Sequence, residues 1–230
     1  MRSDLAGPSR VAFLAAVAMF VVGSILSAAN LPNPALDQNP PAQKSETAIF
    51  AGGCFWGIEA VFDQVKGVSD AVAGYAGGSK TTAHYEIVST GTTGHAESVQ
   101  VTFDPTRISY GQLLKVYFSV HDPTELNRQD PDDGTQYRSE IFYTTPEQKS
   151  IAEAYIRQLD TKKVFGKPIV TKVAPLQAFY RAEDYHQHYV LHCAQNSPLC
   201  TNKGYVYRYD IPKVANFRQQ FPELLKGGNL

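Results

Sequence analysis

The amino-acid sequence predicts an α+β domain, a sandwich of mixed strands and helices with a long irregular C-terminal segment. Three observations carry this. Residues 95–103 alternate with the period of a strand; Phe55, Ile58, Phe62 and Val65 repeat at helical spacing directly after an apolar run; and segments of both kinds then follow one another in mixed order. With 230 residues, 43% of them apolar and 19% charged, the chain can bury one sizeable core and is not disordered as a whole. A formal net charge of -1 gives no basic footprint for nucleic acid and no general attraction to a membrane surface.

The N-terminus is a different physical object. Arg2 and Arg10 precede or border the apolar stretch Val11 to Leu26, and Ser27, Ala28 and Ala29 supply small residues at cleavage spacing. Residues 1–29 read as a secretory signal peptide; an uncleaved anchor is the alternative, although the stretch is short against a spanning helix of about 20 residues. Either reading puts the folded part outside the cytoplasm, in a periplasmic or other extracytoplasmic space. Residues 30–45, rich in Pro, Asn, Gln and Ala without periodicity, read as a disordered linker, which leaves residues 46–226 as the domain. Three cysteines in an exported chain leave at least one unpaired at any moment, and an odd count there favours redox chemistry over a fixed disulfide framework.

Within the domain, Thr47 to Gly53 reads as a buried strand ending in a glycine turn, followed by a helix from Phe55 that Gly67 ends. Ala71 to Tyr75 predicts a strand, Ser79 to Gly94 a loop, and His95 to Phe103 a second strand stopped by Asp104-Pro105. Ser109 to His121 predicts a helix with Leu113, Leu114, Tyr117 and Val120 on its packing side. Asp122 to Tyr137 is long, polar and holds Pro123, Pro131 and Gly134; loops of this length are usually functional or disordered. Ser139 to Tyr143 then reads as a strand, Pro146 to Lys162 as a helix, Ile169 to Val173 as a strand and Ala182 to His192 as a helix. A last amphipathic helix carries Val214, Phe217 and Phe221, and the loop-like stretch before it lets either Cys193 or Cys200 move.

Two positions bear chemistry. Cys54 follows Gly52 and Gly53 where strand gives way to helix; free N–H groups and the helix dipole at such a place stabilise a thiolate and lower a cysteine pKa from about 8.5 toward neutrality. Glu97 shares a strand face with Val99, Val101 and Phe103, so burial would raise its pKa above about 4.3 and leave a carboxylic acid able to donate a proton.

Together, GCFWG at Gly53 to Gly57, GHAE at Gly94 to Glu97, GTQYRS at Gly134 to Ser139 and AEDYHQHY at Ala182 to Tyr189 resemble the peptide methionine sulfoxide reductase A family, from about Ala48 to Phe221. The resemblance implies a two-layer ferredoxin-like sandwich with a mixed sheet, and reduction of methionine (S)-sulfoxide in proteins, with the free amino acid as the alternative substrate, to methionine. It makes Cys54 the nucleophile, with Phe55 and Trp56 forming a slot for the substrate methyl group. Glu97 would protonate the departing oxygen, Tyr85 and Tyr137 would hydrogen-bond it, and Asp132 matches the acidic position in the loop before. Cys200 resembles the mobile cysteine that resolves the Cys54 sulfenic acid. Cys193 has no clear equivalent: it could resolve Cys54, exchange with Cys200, or stay inert. The resemblance implies no bound cofactor or metal, a thioredoxin-like dithiol as external reductant, oxidised proteins or peptides as substrate, and a monomer that contacts no nucleic acid.

Plainer readings compete. A lone buried cysteine is more often a core residue, and most of the 13 tyrosines must be packing or surface residues. His95, His186 and His188 suggest a metal cluster, but the spacing of the last two does not converge on one helix face, and hydrogen bonding within HQHY explains them better. Cys193 and Cys200 could form a plain structural disulfide. Rival functions are a binding domain with Phe55 and Trp56 as an apolar peptide slot, and a thiol peroxidase.

Overall fold

The computed structural model describes residues 31–38 and 45–227; the signal segment read from the sequence lies outside them. Strand β1 (Glu46–Gly52) leads into helix α1 (Phe55–Phe62), which returns as β2 (Val68–Ala76). A short helix α2 (Tyr85–Val88) precedes β3 (Ala96–Phe103) and α3 (Tyr110–Ser119). A small hairpin, β4 (Arg128–Gln129) and β5 (Asp132–Asp133), leads to β6 (Ser139–Tyr143), α4 (Pro146–Thr161) and β7 (Lys172–Pro175). The chain ends through β8 (Phe179–Arg181), α5 (Tyr189–Ala194), α6 (Lys203–Tyr205), a π turn at Val206–Asp210 and α7 (Ile211–Gln220).

The main sheet runs β7-β6-β1-β3-β2-β8 and is mixed: β6 and β7 are parallel and every other neighbouring pair is antiparallel. Central β1 is apolar and buried from Ala48 onward because both its faces are covered there. Ala48 and Phe50 join the large core, whereas Ile49 and Ala51 meet Ala76, Ala96 and Phe142 on the other side. Phe50 lies against the rings of Phe62, Tyr110 and Tyr117, with centroids 5.3, 6.2 and 5.0 Å away, which fixes α1 and α3 over the same strand. Helix α3 starts at a reciprocal capping box between Ser109 and Gln112, and α4 at a Thr145 cap with Pro146 in its first turn.

The predicted α+β class holds, and the differences lie at the edges and toward the C-terminus. His188 has φ +48 and interrupts the helix predicted over Ala182 to His192, so a tight turn at Asp184–His186 precedes α5. The strand predicted at Ile169 to Val173 starts later, where the chain pairs with β6. Three-residue β8 is too short to show a period.

Residues 31–38 correct the disordered-linker reading over that stretch. Leu31 is buried, and the Pro32 carbonyl accepts a 2.8 Å hydrogen bond from the Tyr155 hydroxyl. Asp37 accepts from the Gly111 N–H at 2.9 Å and from the Ser109 hydroxyl, while Gln38 Oε1 accepts from the Tyr110 N–H at 2.8 Å. These polar side chains satisfy donors that the start of α3 leaves free, a role that composition does not register.

Candidate active site

The turn from β1 into α1 requires Gly53. Its φ is +95, and a β-carbon there would come within 2.6 Å of Gln129 Cγ, which the β4 hairpin presses against it. Cys54 follows as the N-cap of α1; it is a free thiol, 8% exposed. The first two N–H groups of the helix are divided between thiol and acid: that of Trp56 bonds the Cys54 sulfur, and that of Phe55 donates to Glu97 Oε2 at 3.0 Å. Glu97 reaches this point from β3, its side chain turned to the core side as the alternation predicts, and is 2% exposed.

Burial pushes the Glu97 carboxyl up to about 8, against the Phe55 N–H bond that favours its charged form; the charges of Asp132 and Asp210 add to the rise. The group therefore holds a proton near neutrality. The thiol behaves oppositely to the prediction. Burial raises Cys54 well above the ordinary thiol value, the carboxyls of Glu97, Asp210 and Asp132 raise it further, and only the Trp56 N–H opposes them. One short helix end does not outweigh desolvation and three acidic neighbours.

Around this pair stands an aromatic wall. Trp56 stacks on Tyr189 at 3.9 Å between centroids and meets Tyr205 edge-on at 5.9 Å. Its indole N–H donates to His186 Nδ1 at 3.0 Å. Phe55 is buried against Tyr75 and His186. Tyr85, the first residue of α2, and Tyr137 from the Thr135–Tyr137 turn are half-buried; burial raises both phenols, Tyr85 to about 12, and both feel the charges of Glu97 and Cys54. Both hydroxyls thus stay protonated and available as donors. Asp132 accepts from the Tyr205 hydroxyl, and burial raises its carboxyl. Cys54, Phe55, Trp56, Tyr85, Glu97, Asp132 and Tyr137 thus come together from five separate stretches of chain.

The other two cysteines are joined to each other. Cys193, fully buried in α5, and Cys200, half-buried, form a disulfide with a Cα–Cα distance of 4.8 Å. The loop it closes borders a cavity of about 360 Å³ beside Trp56. Among the described residues no group of three or more His, Cys, Asp and Glu side chains is arranged to hold a metal ion.

Three neighbours of the site were given no role by the sequence. Tyr189 closes the AEDYHQHY motif without a role of its own, and Tyr205 is one tyrosine among many. Asp210 sits in the π turn, 1% exposed, and a β-carbon at Gly57 in α1 would stand 2.4 Å from its Oδ1. Neither of its oxygens has a hydrogen-bond partner, and burial pushes the carboxyl up to about 7.

Residues 46–217 match the family described as peptide methionine sulfoxide reductase. This chain belongs to that family. It is 52% identical over 200 residues to peptide methionine sulfoxide reductase MsrA 2 of Synechocystis sp., covering 85% of this chain and 90% of the relative. It is 50% identical over 186 residues to MsrA of Deinococcus radiodurans, with 81% and 87% covered. Among solved structures, reduced Mxr1 from Saccharomyces cerevisiae superposes with a TM-score of 0.61 at 33% identity, covering 68% of this chain and 90% of that one. Methionine sulfoxide reductase A of Corynebacterium diphtheriae gives 0.58 at 34%, covering 70% and 81%. The reductase fold therefore accounts for the mixed sheet.

Proposed function

We propose that this chain reduces methionine (S)-sulfoxide to methionine, with Cys54 as nucleophile and Glu97 as proton donor. The observation that carries the reading is the buried Glu97 carboxyl hydrogen-bonded to the helix N–H directly after Cys54. Reduction of a sulfoxide needs an attacking sulfur and a proton for the departing oxygen, and this arrangement supplies both at the start of α1, one from α1 and one from β3. Tyr85 and Tyr137 donate hydrogen bonds to the oxygen as charge develops on it, and Asp132 with Tyr205 borders the same space. Phe55 and Trp56 enclose the methyl group.

The Cys54 sulfur attacks the sulfoxide sulfur and forms an S–S bond as Glu97 protonates the oxygen; the S–O and S–S bonds then break as the hydroxyl passes to the Cys54 sulfur, so the sulfide leaves and Cys54, oxidised by two electrons, is a sulfenic acid. The Cys193–Cys200 disulfide stands where the cycle ends. An external dithiol first reduces it; Cys200 then condenses with the sulfenic acid, releasing water and forming a Cys54–Cys200 disulfide. Exchange with Cys193 returns the Cys54 thiol and restores Cys193–Cys200, the state this structure holds. The alternative has Cys193 attacking first. A thioredoxin-like partner is the reductant, and no bound cofactor is required.

The substrate is oxidised protein or peptide in an extracytoplasmic compartment, reached through the signal peptide or anchor read from residues 1–29, and the chain works as a monomer. To test the activity, purified protein with dithiothreitol is given the separate sulfoxide epimers of a blocked methionine. Turnover of the S epimer that disappears in Cys54→Ser is expected. Turnover of the R epimer alone, or activity surviving the substitution, overturns the reading.

A further inference from the structure

The hydroxyl of Tyr189 is spent on one short stretch of chain. It accepts hydrogen bonds from the backbone N–H groups of Thr201 at 2.9 Å and Asn202 at 2.8 Å, and stands 3.1 Å from the Thr201 hydroxyl. With both acceptor positions taken, its proton is left for Thr201 Oγ1, so the whole hydrogen-bonding capacity of the phenol goes to the two residues directly after Cys200. The ring of the same residue, 2% exposed at the start of α5, stacks on Trp56, two positions after Cys54. Tyr189 therefore joins the helix of the nucleophile to the segment that carries Cys200. That segment is tied a second time further on, because Asn202 precedes α6, whose last residue Tyr205 meets Trp56 edge-on and donates to Asp132. Pro198, Leu199, Thr201 and Asn202 line the same cavity of about 360 Å³ as Trp56, which stations the stretch around Cys200 beside the catalytic turn.

We propose that Tyr189 is a positioning residue for the resolving step: its hydroxyl holds Thr201 and Asn202 near Trp56, so that Cys200 is already stationed beside the catalytic turn when the Cys54 sulfenic acid forms. The proposal rests on the reductase reading above and assigns the first resolving attack to Cys200. In that step the Cys200 sulfur attacks the Cys54 sulfur, an S–S bond forms as the S–OH bond breaks, and the hydroxyl leaves as water with the proton of the Cys200 thiol. The two sulfurs supply all the electrons, and no outside reductant takes part. Ordering argues for the role. Once an external dithiol has opened the Cys193–Cys200 bond, α5 no longer grips this segment through Cys200, but the Tyr189 bonds still fix the residues next to it. A thiol beside a fixed point has less ordering left to do before it reacts than one on a free loop. Burial favours the same cysteine, because Cys200 is half-buried whereas Cys193 is fully buried in α5.

The test separates the two steps within one reaction. Protein reduced with dithiothreitol and then freed of it is mixed with an excess of the S-sulfoxide of a blocked methionine. Sulfide formation and the Cys54 sulfenic acid, titrated with thionitrobenzoate, are followed through the first turnover. The peak level of a sulfenic acid that forms and then decays depends only on the ratio of the two rates, so a slower first step is scored separately. Tyr189→Phe keeps a ring to stack on Trp56 and removes the hydroxyl. The ratio of resolution to formation should fall by about three- to tenfold, the worth of one neutral hydrogen bond, and the peak should rise accordingly. An unchanged or lower peak overturns the proposal, as does a variant in which both steps slow equally. Cys200→Ser gives an arm that leaves Tyr189 in place: its sulfenic acid should persist, and disappearance at the unsubstituted rate would assign the first attack to Cys193 and overturn the proposal. An unsubstituted protein that forms no sulfide overturns the reductase reading itself, and this role with it.

Discussion

Glu97 and Cys54 share the first free N–H groups of α1, and the Glu97 carboxyl discourages ionisation of the thiol. Glu97 is an acid only while protonated, so activity should be lost as pH rises through about 8. In Glu97→Gln that alkaline limb should vanish from the pH profile of kcat/KM, and Glu97→Ala should lower kcat/KM by about 10²- to 10⁴-fold. A limb that persists in Glu97→Gln would assign it to another group. Asp210 gives a second residue-scale prediction. Its buried carboxyl raises the Cys54 thiol, so Asp210→Asn should move the midpoint of iodoacetamide alkylation of Cys54 to lower pH. An unchanged midpoint would mean that the thiol does not feel this carboxyl. Glu97 was legible in the sequence because strand alternation fixes which way a side chain points; Asp210 was not, since its partner Gly57 lies more than 150 residues away in the chain.

At the scale of elements, local signals placed what local physics controls. The Gly52-Gly53 turn, the Ser109 cap with Gln112 and the Thr145-Pro146 start are each set within a few residues, and β1, α1, β3, α3 and α4 lie where the sequence puts them to within a few residues at each end. The strap at residues 31–38 is the contrary case, because its stability comes from donors on a helix some 70 residues onward. Asp37→Ala should remove two of these bonds and lower unfolding free energy by about 0.5–2 kcal/mol, as loss of a helix cap does. Urea denaturation of the variant checks this; no change in midpoint would reduce the strap to a passive surface contact.

For the whole molecule, Glu59, Glu97, Asp210, His121 and His186 make stability follow pH. Glu59, Glu97 and Asp210 are raised to about 9, 8 and 7, so they keep their protons in the folded state at pH values where the unfolded chain has lost them. Their contribution is fully present below the ordinary carboxylate range and is lost as pH rises through those values. His121 and His186, both lowered to about 4, act the other way: they stay neutral when folded, and their contribution declines as pH falls below about 6.5. The two sets oppose each other below about 6.5, and above it only the carboxyls act. Stability should therefore fall most steeply between about pH 6.5 and 8 and go on falling, through Glu59, to about 9. Glu59→Gln should flatten that fall, as read from urea midpoints at pH 6 and 9; an equally steep fall would exclude Glu59 as a contributor.

The sequence by itself determined the α+β class, the place of Cys54 at the start of α1 and the core-facing Glu97, because periodicity and turn chemistry act over a few residues and the four motifs occur in order. Tertiary structure decided the rest. It raised the thiol instead of lowering it, joined Cys193 to Cys200, fixed the His186 tautomer through Trp56, and brought Asp210 against α1. Each of these depends on burial and on charges or donors from distant parts of the chain, quantities that exist only once the chain has closed on itself.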